Sequence, residues 1–217
     1  MPSSVSTTGK GAGMDRVGQD TAASTQGEDY TRRLQSLAGA RWKRWLDVQA
    51  PYRWNLRRLH LGRTLDVGCG LGRNLANLGG DAVGVDHNPT SIAHARAAGH
   101  EAYTVDEFFR SAHARRDAFD SLLAAHLLEH LPAGQAREVV ASYLPFVRSG
   151  GTVVFITPQE RGYASDATHV RFVGFTEAAE AARDLGLTVV RQYSFPFPRF
   201  FGKLFTYNEF VTLARRP

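Results

Sequence analysis

Two carboxylates twenty residues apart, Asp66 and Asp86, flank a turn whose glycines fall on alternate positions, Gly68, Gly70 and Gly72. A short apolar run precedes each carboxylate's neighbourhood: Leu65 and Val67 around the first, Ala82, Val83 and Val85 before the second. An apolar run that enters a glycine turn and is followed by a helix-compatible segment is how a parallel strand ends. Glycine lets the backbone take positive φ and lets a ligand approach without a Cβ in the way. The helix behind the turn aims free N–H groups and its positive dipole end at that ligand. A carboxylate at the tip of the second strand can accept two hydrogen bonds from a ribose diol. Together these features specify an adenosine-bearing cofactor held by Asp66, Gly68, Cys69, Gly70 and Asp86, with His87 bordering its adenine or ribose.

The glycine spacing decides which cofactor. Dinucleotide sites use G-x-G-x-x-G, so that helix and strand close around a pyrophosphate. Here the pattern is G-x-G-x-G, and Arg73 stands where the third dinucleotide glycine would be. S-adenosylmethionine carries no phosphate and tolerates the bulk. A nicotinamide dehydrogenase, or a glycine turn without a ligand, is the competing reading. At Leu65-Asp66-Val67-Gly68-Cys69-Gly70-Leu71-Gly72 the chain resembles the class I S-adenosylmethionine-dependent methyltransferases. The run Phe119-Asp120-Ser121-Leu122-Leu123-Ala124-Ala125-His126-Leu127-Leu128-Glu129-His130 is similar to that family's F-D-x-hydrophobic strand and short L-E-H helix. The resemblance implies an α/β fold with a Rossmann-like seven-stranded, mostly parallel sheet, helices on both faces and an N-terminal helical cap. It also implies that Asp106 lies near the adenine amino group and that Ala124, Ala125 and His126 face the sulfonium. A weaker likeness, in overall length and in the loop from Asp166 to His169, points to sugar O-methyltransferases of the methylmannose polysaccharide type. That likeness implies a saccharide hydroxyl as acceptor.

Methyl transfer is an in-line displacement at carbon, so alignment in a dry pocket does most of the catalysis. A hydroxyl acceptor must also lose a proton, to a positioned base or through a metal. Histidine suits that role because its unperturbed pKa is about 6.5. Of the eight histidines, His60, His94, His100 and His113 fall away from the expected strand tips. His126, His130 and His169 remain, with His130 and Glu129 serving equally well as braces for the local helix. Asp166 and His169 are three residues apart, on one face if a helical turn forms. Asp166 could then orient His169 as the base, or the two could ligate a divalent ion such as magnesium. A polar loop in which Asp166 caps a turn and His169 packs is the simpler alternative.

The elements that must position these residues alternate strand and helix, which predicts a parallel sheet with its ligand at the carboxyl ends of the strands. Strands are expected at Thr64–Val67, Ala82–Asp86, Ala102–Val105, Phe119–Ala124, Thr152–Thr157, Leu187–Tyr193 and Tyr207–Ala214, with a helix from Pro132 to Val147. Residues 1–27 are rich in Ser, Thr, Gly and Ala and read as a flexible leader. Residues 28–62 carry apolar and aromatic residues at helical spacing, divided by Pro51, and read as the cap; residues 63–217 are the methyltransferase domain. The 217 residues suffice for one domain with a sizeable core. No run approaches the ~20 apolar residues of a membrane span, no signal core follows the N-terminus, and Cys69 is the single cysteine. These observations predict a cytoplasmic protein without membrane association or internal disulfides.

A formal charge of +5 is concentrated in Arg32, Arg33, Arg41, Lys43, Arg44, Arg53, Arg57, Arg58 and Arg63. That crowding could grip RNA, making the protein an RNA methyltransferase. A solvated helix face is the favoured reading, because no recognisable RNA-binding module accompanies it. A third alternative is a non-catalytic binding protein on the same fold. The aromatic stretch 195–205 could wall a pocket, stack on sugar faces or join two copies as a homodimer.

Overall fold

The computed structural model describes Asp47 and residues 49–217. The expected leader and most of the expected cap, including Trp42 and Trp45, lie outside the described residues. What is described begins with α1 (Ala50–Arg57), and Pro51 sits in its first turn, where a missing N–H leaves no helical bond unmade.

Seven strands form one sheet in the order β3-β2-β1-β4-β5-β7-β6. They are β1 (Thr64–Val67), β2 (Ala82–Asp86), β3 (Ala102–Thr104), β4 (Phe119–Ala125), β5 (Val147–Pro158), β6 (Thr188–Phe195) and β7 (Glu209–Arg215). The first five run parallel, and β7 lies antiparallel between β5 and β6. The helices between them are α2 (Arg73–Leu78), α3 (Pro89–Ala97), α4 (Val105–Arg110), α5 (Ala133–Tyr143), α6 (Glu160–Tyr163) and α7 (Phe175–Asp184). The expected sheet is the observed one.

The central strands read as unbroken apolar runs because both of their faces are covered. Alternate residues of β4 and β5 go to opposite sides. Leu122, Ala124, Val153 and Phe155 join one core with Phe108, Val140 and Ala182 of α4, α5 and α7. Leu123, Ala125, Val154 and Ile156 join a second core with Leu56 of α1, Phe195 and Val211. Each fully buried side chain of this size contributes roughly 1.5–3 kcal/mol.

Local chemistry explains where boundaries differ from those expected. Strand β3 stops at Thr104 because Thr104 and Glu107 form a capping box: Glu107 N–H donates to Thr104 Oγ1, and Thr104 N–H donates to Glu107 Oε2 at 2.8 Å. The helix expected over 132–147 ends at Tyr143, and a 3-10 turn, Leu144–Phe146, follows around Pro145. Strand β5 is longer than expected, starting at Val147 and passing through an irregularity opposite Phe119 and Ser121. Strand β7 starts two residues later than expected, at Glu209.

Candidate active site

The glycine turn leaves β1 with Gly68, Gly70 and Gly72 at φ of 80°, 52° and 84°, the left-handed region that favours glycine. Gly68 and Cys69 N–H both donate to the Val85 carbonyl, at 2.8 and 3.1 Å, which lays the turn across the end of β2. That approach needs Gly84 beneath it, since a Cβ there would meet Cys69 Sγ at 2.7 Å and Leu75 Cδ1 at 2.8 Å. A Cβ on Gly70 would meet nothing within 4 Å, so the space over the turn is open to a ligand.

Asp86 holds the turn from the neighbouring strand. Its Oδ2 accepts Gly70 N–H at 2.9 Å, and its Oδ1 accepts Asn88 N–H at 2.8 Å. Each oxygen keeps a lone pair for a further donor. Asn88 in turn caps α3, accepting Thr90 and Ser91 N–H as its position before Pro89 predicts. His87 Nδ1 lies 3.4 Å from Asp86 Oδ1, with much of its ring exposed.

Asp66 is fully buried, and neither of its carboxyl oxygens has a hydrogen-bond partner. Burial, with a smaller effect from the Asp86 charge, pushes its pKa up to about 7. An orphaned buried carboxyl under an open turn fits the positively charged amino group of S-adenosylmethionine. The Cys69 thiol is buried and its pKa is raised by desolvation, so it is a small packed side chain rather than a nucleophile.

At the end of β4 the chain turns through His126, at φ 55°, an uncommon conformation for a residue with a side chain. Its N–H donates to Ile156 O, and its ring is bracketed by two carboxylates. Nδ1 lies 3.2 Å from Glu129 Oε1 and Nε2 lies 3.0 Å from Glu209 Oε1. Burial opposes charge on this ring, but the two carboxylates outweigh it and raise its pKa to about 10. His126 therefore stands as an imidazolium with both N–H groups engaged. This corrects the expectation that it could serve as a base. Ala125 beside it is buried in the second core.

Glu209 comes from β7 and carried no signal in the sequence, because only the antiparallel insertion of β7 beside β5 brings it to the tip of β4. The loop from 159 to 172 returns to the same place. The Glu129 carbonyl accepts Val170 and Arg171 N–H, tying that loop to the 3-10 turn Leu128–His130. The His169 and His130 rings then meet at a centroid separation of 4.7 Å, tilted by 60°. His169 Nδ1 lies 2.8 Å from the Tyr163 carbonyl, which can only accept, so Nδ1 carries a proton and Nε2 is the nitrogen left for another partner. Asp166 does not take the expected role of orienting His169: its Oδ1 accepts Thr168 N–H and Oγ1–H, at 3.0 and 2.8 Å. With its hydrogen given to Asp166, the Thr168 hydroxyl accepts from His130 Nδ1 at 3.2 Å. His130 is thus held on Thr168 through Nδ1, and burial holds its pKa below the usual range.

Asp106 lies in the first turn of α4 with its side chain exposed. The described arginines of the basic segment are occupied within the chain. Arg57 donates to Asn77 O, Arg58 packs over Trp54 and donates to Asn55, and Arg63 pairs with Asp81 and meets His113. Arg32, Arg33, Arg41, Lys43 and Arg44 lie outside the described residues. Among the described residues no helix is long and apolar enough to cross a membrane. The aromatic stretch forms a 3-10 turn, Arg199–Lys203, and leaves Phe197, Phe200, Leu204 and Tyr207 exposed; Trp54 of α1, also exposed, stacks on Phe195.

Residues 65–155 match the family described as a methyltransferase domain. No curated protein matches the whole sequence. Among solved structures, an S-adenosylmethionine-dependent methyltransferase from Archaeoglobus fulgidus shares 18% identity at a TM-score of 0.60, over 76% of this chain and 93% of its own. The magnesium protoporphyrin IX methyltransferase of Synechocystis PCC 6803, with bound S-adenosylhomocysteine, shares 13% at 0.63, over 92% of this chain and 100% of its own. The N-methyltransferase NodS from Bradyrhizobium japonicum WM9 shares 19% at 0.57, over 76% and 94%. At these identities the structural likeness speaks for the fold. Joined to the methyltransferase-domain match over residues 65–155 and the glycine turn with its two carboxylates, it supports the fold of the class I S-adenosylmethionine-dependent methyltransferases for this chain.

Proposed function

We propose that the protein methylates a hydroxyl of a small polar acceptor, with a sugar or glycoside as the best candidate. The observation that carries this reading is the His130–His169 pair, each ring anchored through Nδ1 with Nε2 as the remaining nitrogen. Imidazoles anchored in this way suit an acceptor that must lose a proton, whereas an amine needs only to arrive unprotonated. His169 is the base in this scheme, oriented by the Tyr163 carbonyl. Asp66, the Gly68–Gly72 turn, Asp86 and His87 hold the cofactor, and Ala125 leaves room beside the sulfonium.

The step balances simply. The acceptor oxygen loses its proton and attacks the methyl carbon as the C–S bond breaks. The bond's electron pair returns to sulfur as S-adenosylhomocysteine, and the proton passes to solvent. Exposed rings at Trp54, Phe200 and Tyr207 support a saccharide, since sugar faces stack on aromatic planes. In this reading α1 is the described part of a cap over the pocket: Tyr52 donates to the Tyr207 carbonyl at 2.6 Å.

The test is transfer of labelled methyl to a panel of glycosides, other small alcohols, amines and RNA, with the product position read by NMR. O-methylation of a glycoside or other small alcohol is expected. Methylation confined to nitrogen or to RNA contradicts the proposal.

A further inference from the structure

Among the described residues, Glu129, His130 and His169 bring three donor atoms within 4.8 Å of one another. We infer that these three side chains form a divalent transition-metal site at the acceptor end of the pocket. The inference rests on the hydroxyl-methylation reading and deepens it.

Three independent features converge there. First, Glu129 is 0% exposed, and its Oε2 has no hydrogen-bond partner, while Oε1 is taken by His126. A buried carboxylate oxygen without a hydrogen-bond partner is costly, and the His126 imidazolium reaches only Oε1, which leaves Oε2 for a further ligand. Second, both imidazoles have their Nδ1 atoms fixed on oxygens, His169 on Tyr163 O and His130 on Thr168 Oγ1. Metal-binding histidines are oriented in this way, with the far nitrogen left as the ligand. Third, the backbone ties the two ligand segments together through the Glu129 carbonyl, which accepts Val170 and Arg171 N–H.

The donor set chooses the ion. Two imidazoles and one carboxylate suit zinc, manganese, cobalt or iron, whereas magnesium prefers oxygen ligands and keeps its waters. Bonds of about 2.0–2.2 Å put neighbouring ligands roughly 3–3.5 Å apart, which a small rotation of either half-buried ring supplies. Three protein ligands leave positions open. An acceptor hydroxyl binding at one would have its pKa lowered and release its proton to water; in the metal-loaded protein this replaces the free-base role of His169, whose loss lowers turnover in either case. Asp166, for which metal ligation was only an alternative to orienting His169, instead orients Thr168 and through it His130.

The test is calorimetric titration of the chelator-stripped full chain with manganese, cobalt or zinc chloride alone, alongside titration with S-adenosylhomocysteine in the absence of metal. One equivalent is expected to bind, with magnesium much weaker, and cobalt should show visible absorption characteristic of nitrogen and oxygen ligation. His169→Ala and His130→Gln should each weaken cobalt binding by more than the roughly 10–100-fold that loss of an outer partner costs. Glu129→Gln should do the same, and the two histidine variants keep the test decisive if that buried change impairs folding. His94→Ala, on an exposed face of α3, should bind as the parent does. Absence of binding by all three ions, or binding indifferent to His130 and His169, overturns the site. S-adenosylhomocysteine binding is read separately, so failure of the metal site is distinct from failure of the methyltransferase reading.

Discussion

Asp66 is where burial and function pull against each other. Its folded pKa, about 7, lies above the ordinary value of 3.8. As pH rises from 4 to 7 the unfolded chain gives up this proton first, so the fold loses stability across that window, by on the order of 4 kcal/mol if no other group intervenes. Asp66→Asn should therefore raise the Tm at pH 8, have little effect near pH 4, and weaken S-adenosylhomocysteine binding at both. A lower Tm at pH 8 in thermal scans would mean that the carboxylate has a partner. His169→Ala should lower turnover about 10²–10⁴-fold, the usual contribution of acid–base assistance, with S-adenosylhomocysteine affinity within about twofold. Full activity in the methyl-transfer assay would reduce His169 to packing. The placement of Asp66, Gly70 and Asp86 together around the end of β1 was legible because one local motif carries them. Tyr163 as the partner of His169 was not, since a backbone carbonyl has no residue-type signature. Nor was the charge on His126, which depends on a carboxylate 83 positions away.

Elements fix these groups through a few local devices. The Thr104–Glu107 capping box ends β3 and starts α4, so Thr104→Ala should cost about 1 kcal/mol. That is roughly 2–4 °C of Tm for a chain of this size, read by thermal melting. An unchanged Tm would show the box idle. Gly84 marks the close approach of turn to sheet, and Gly84→Val should impair folding or cofactor binding by driving Cys69 and Leu75 away. Strands β1, β2 and β4 were readable to within a residue because buried parallel strands are short apolar runs ending in turn residues. The Thr104-x-x-Glu107 pattern was equally present in the sequence, and it explains why the third strand ends early. The late start of β7 and the fold of the 159–172 loop were not readable. Both are set by long-range pairing, Gln159 N–H to Asn208 O and Val170 N–H to Glu129 O, that no local pattern announces.

At the scale of the molecule, the sheet places three separate sequence regions at one edge: the glycine turn, the end of β4, and the loop after β5 with the start of β7. The candidate cofactor residues are local in sequence and the proposed acceptor residues come from distant pieces, which is why the donor could be read before the acceptor. The measurement that bears most directly on this arrangement is titration of the purified chain with S-adenosylhomocysteine, for the parent and for Gly70→Val. A Cβ at residue 70 meets no protein atom within 4 Å, so a valine there would project into the ligand's space. One equivalent should bind the parent, and the variant should bind at least about tenfold more weakly, a loss of about 1.4 kcal/mol or more. Parent and variant binding alike, or a parent that binds a nicotinamide dinucleotide in preference, would contradict the account.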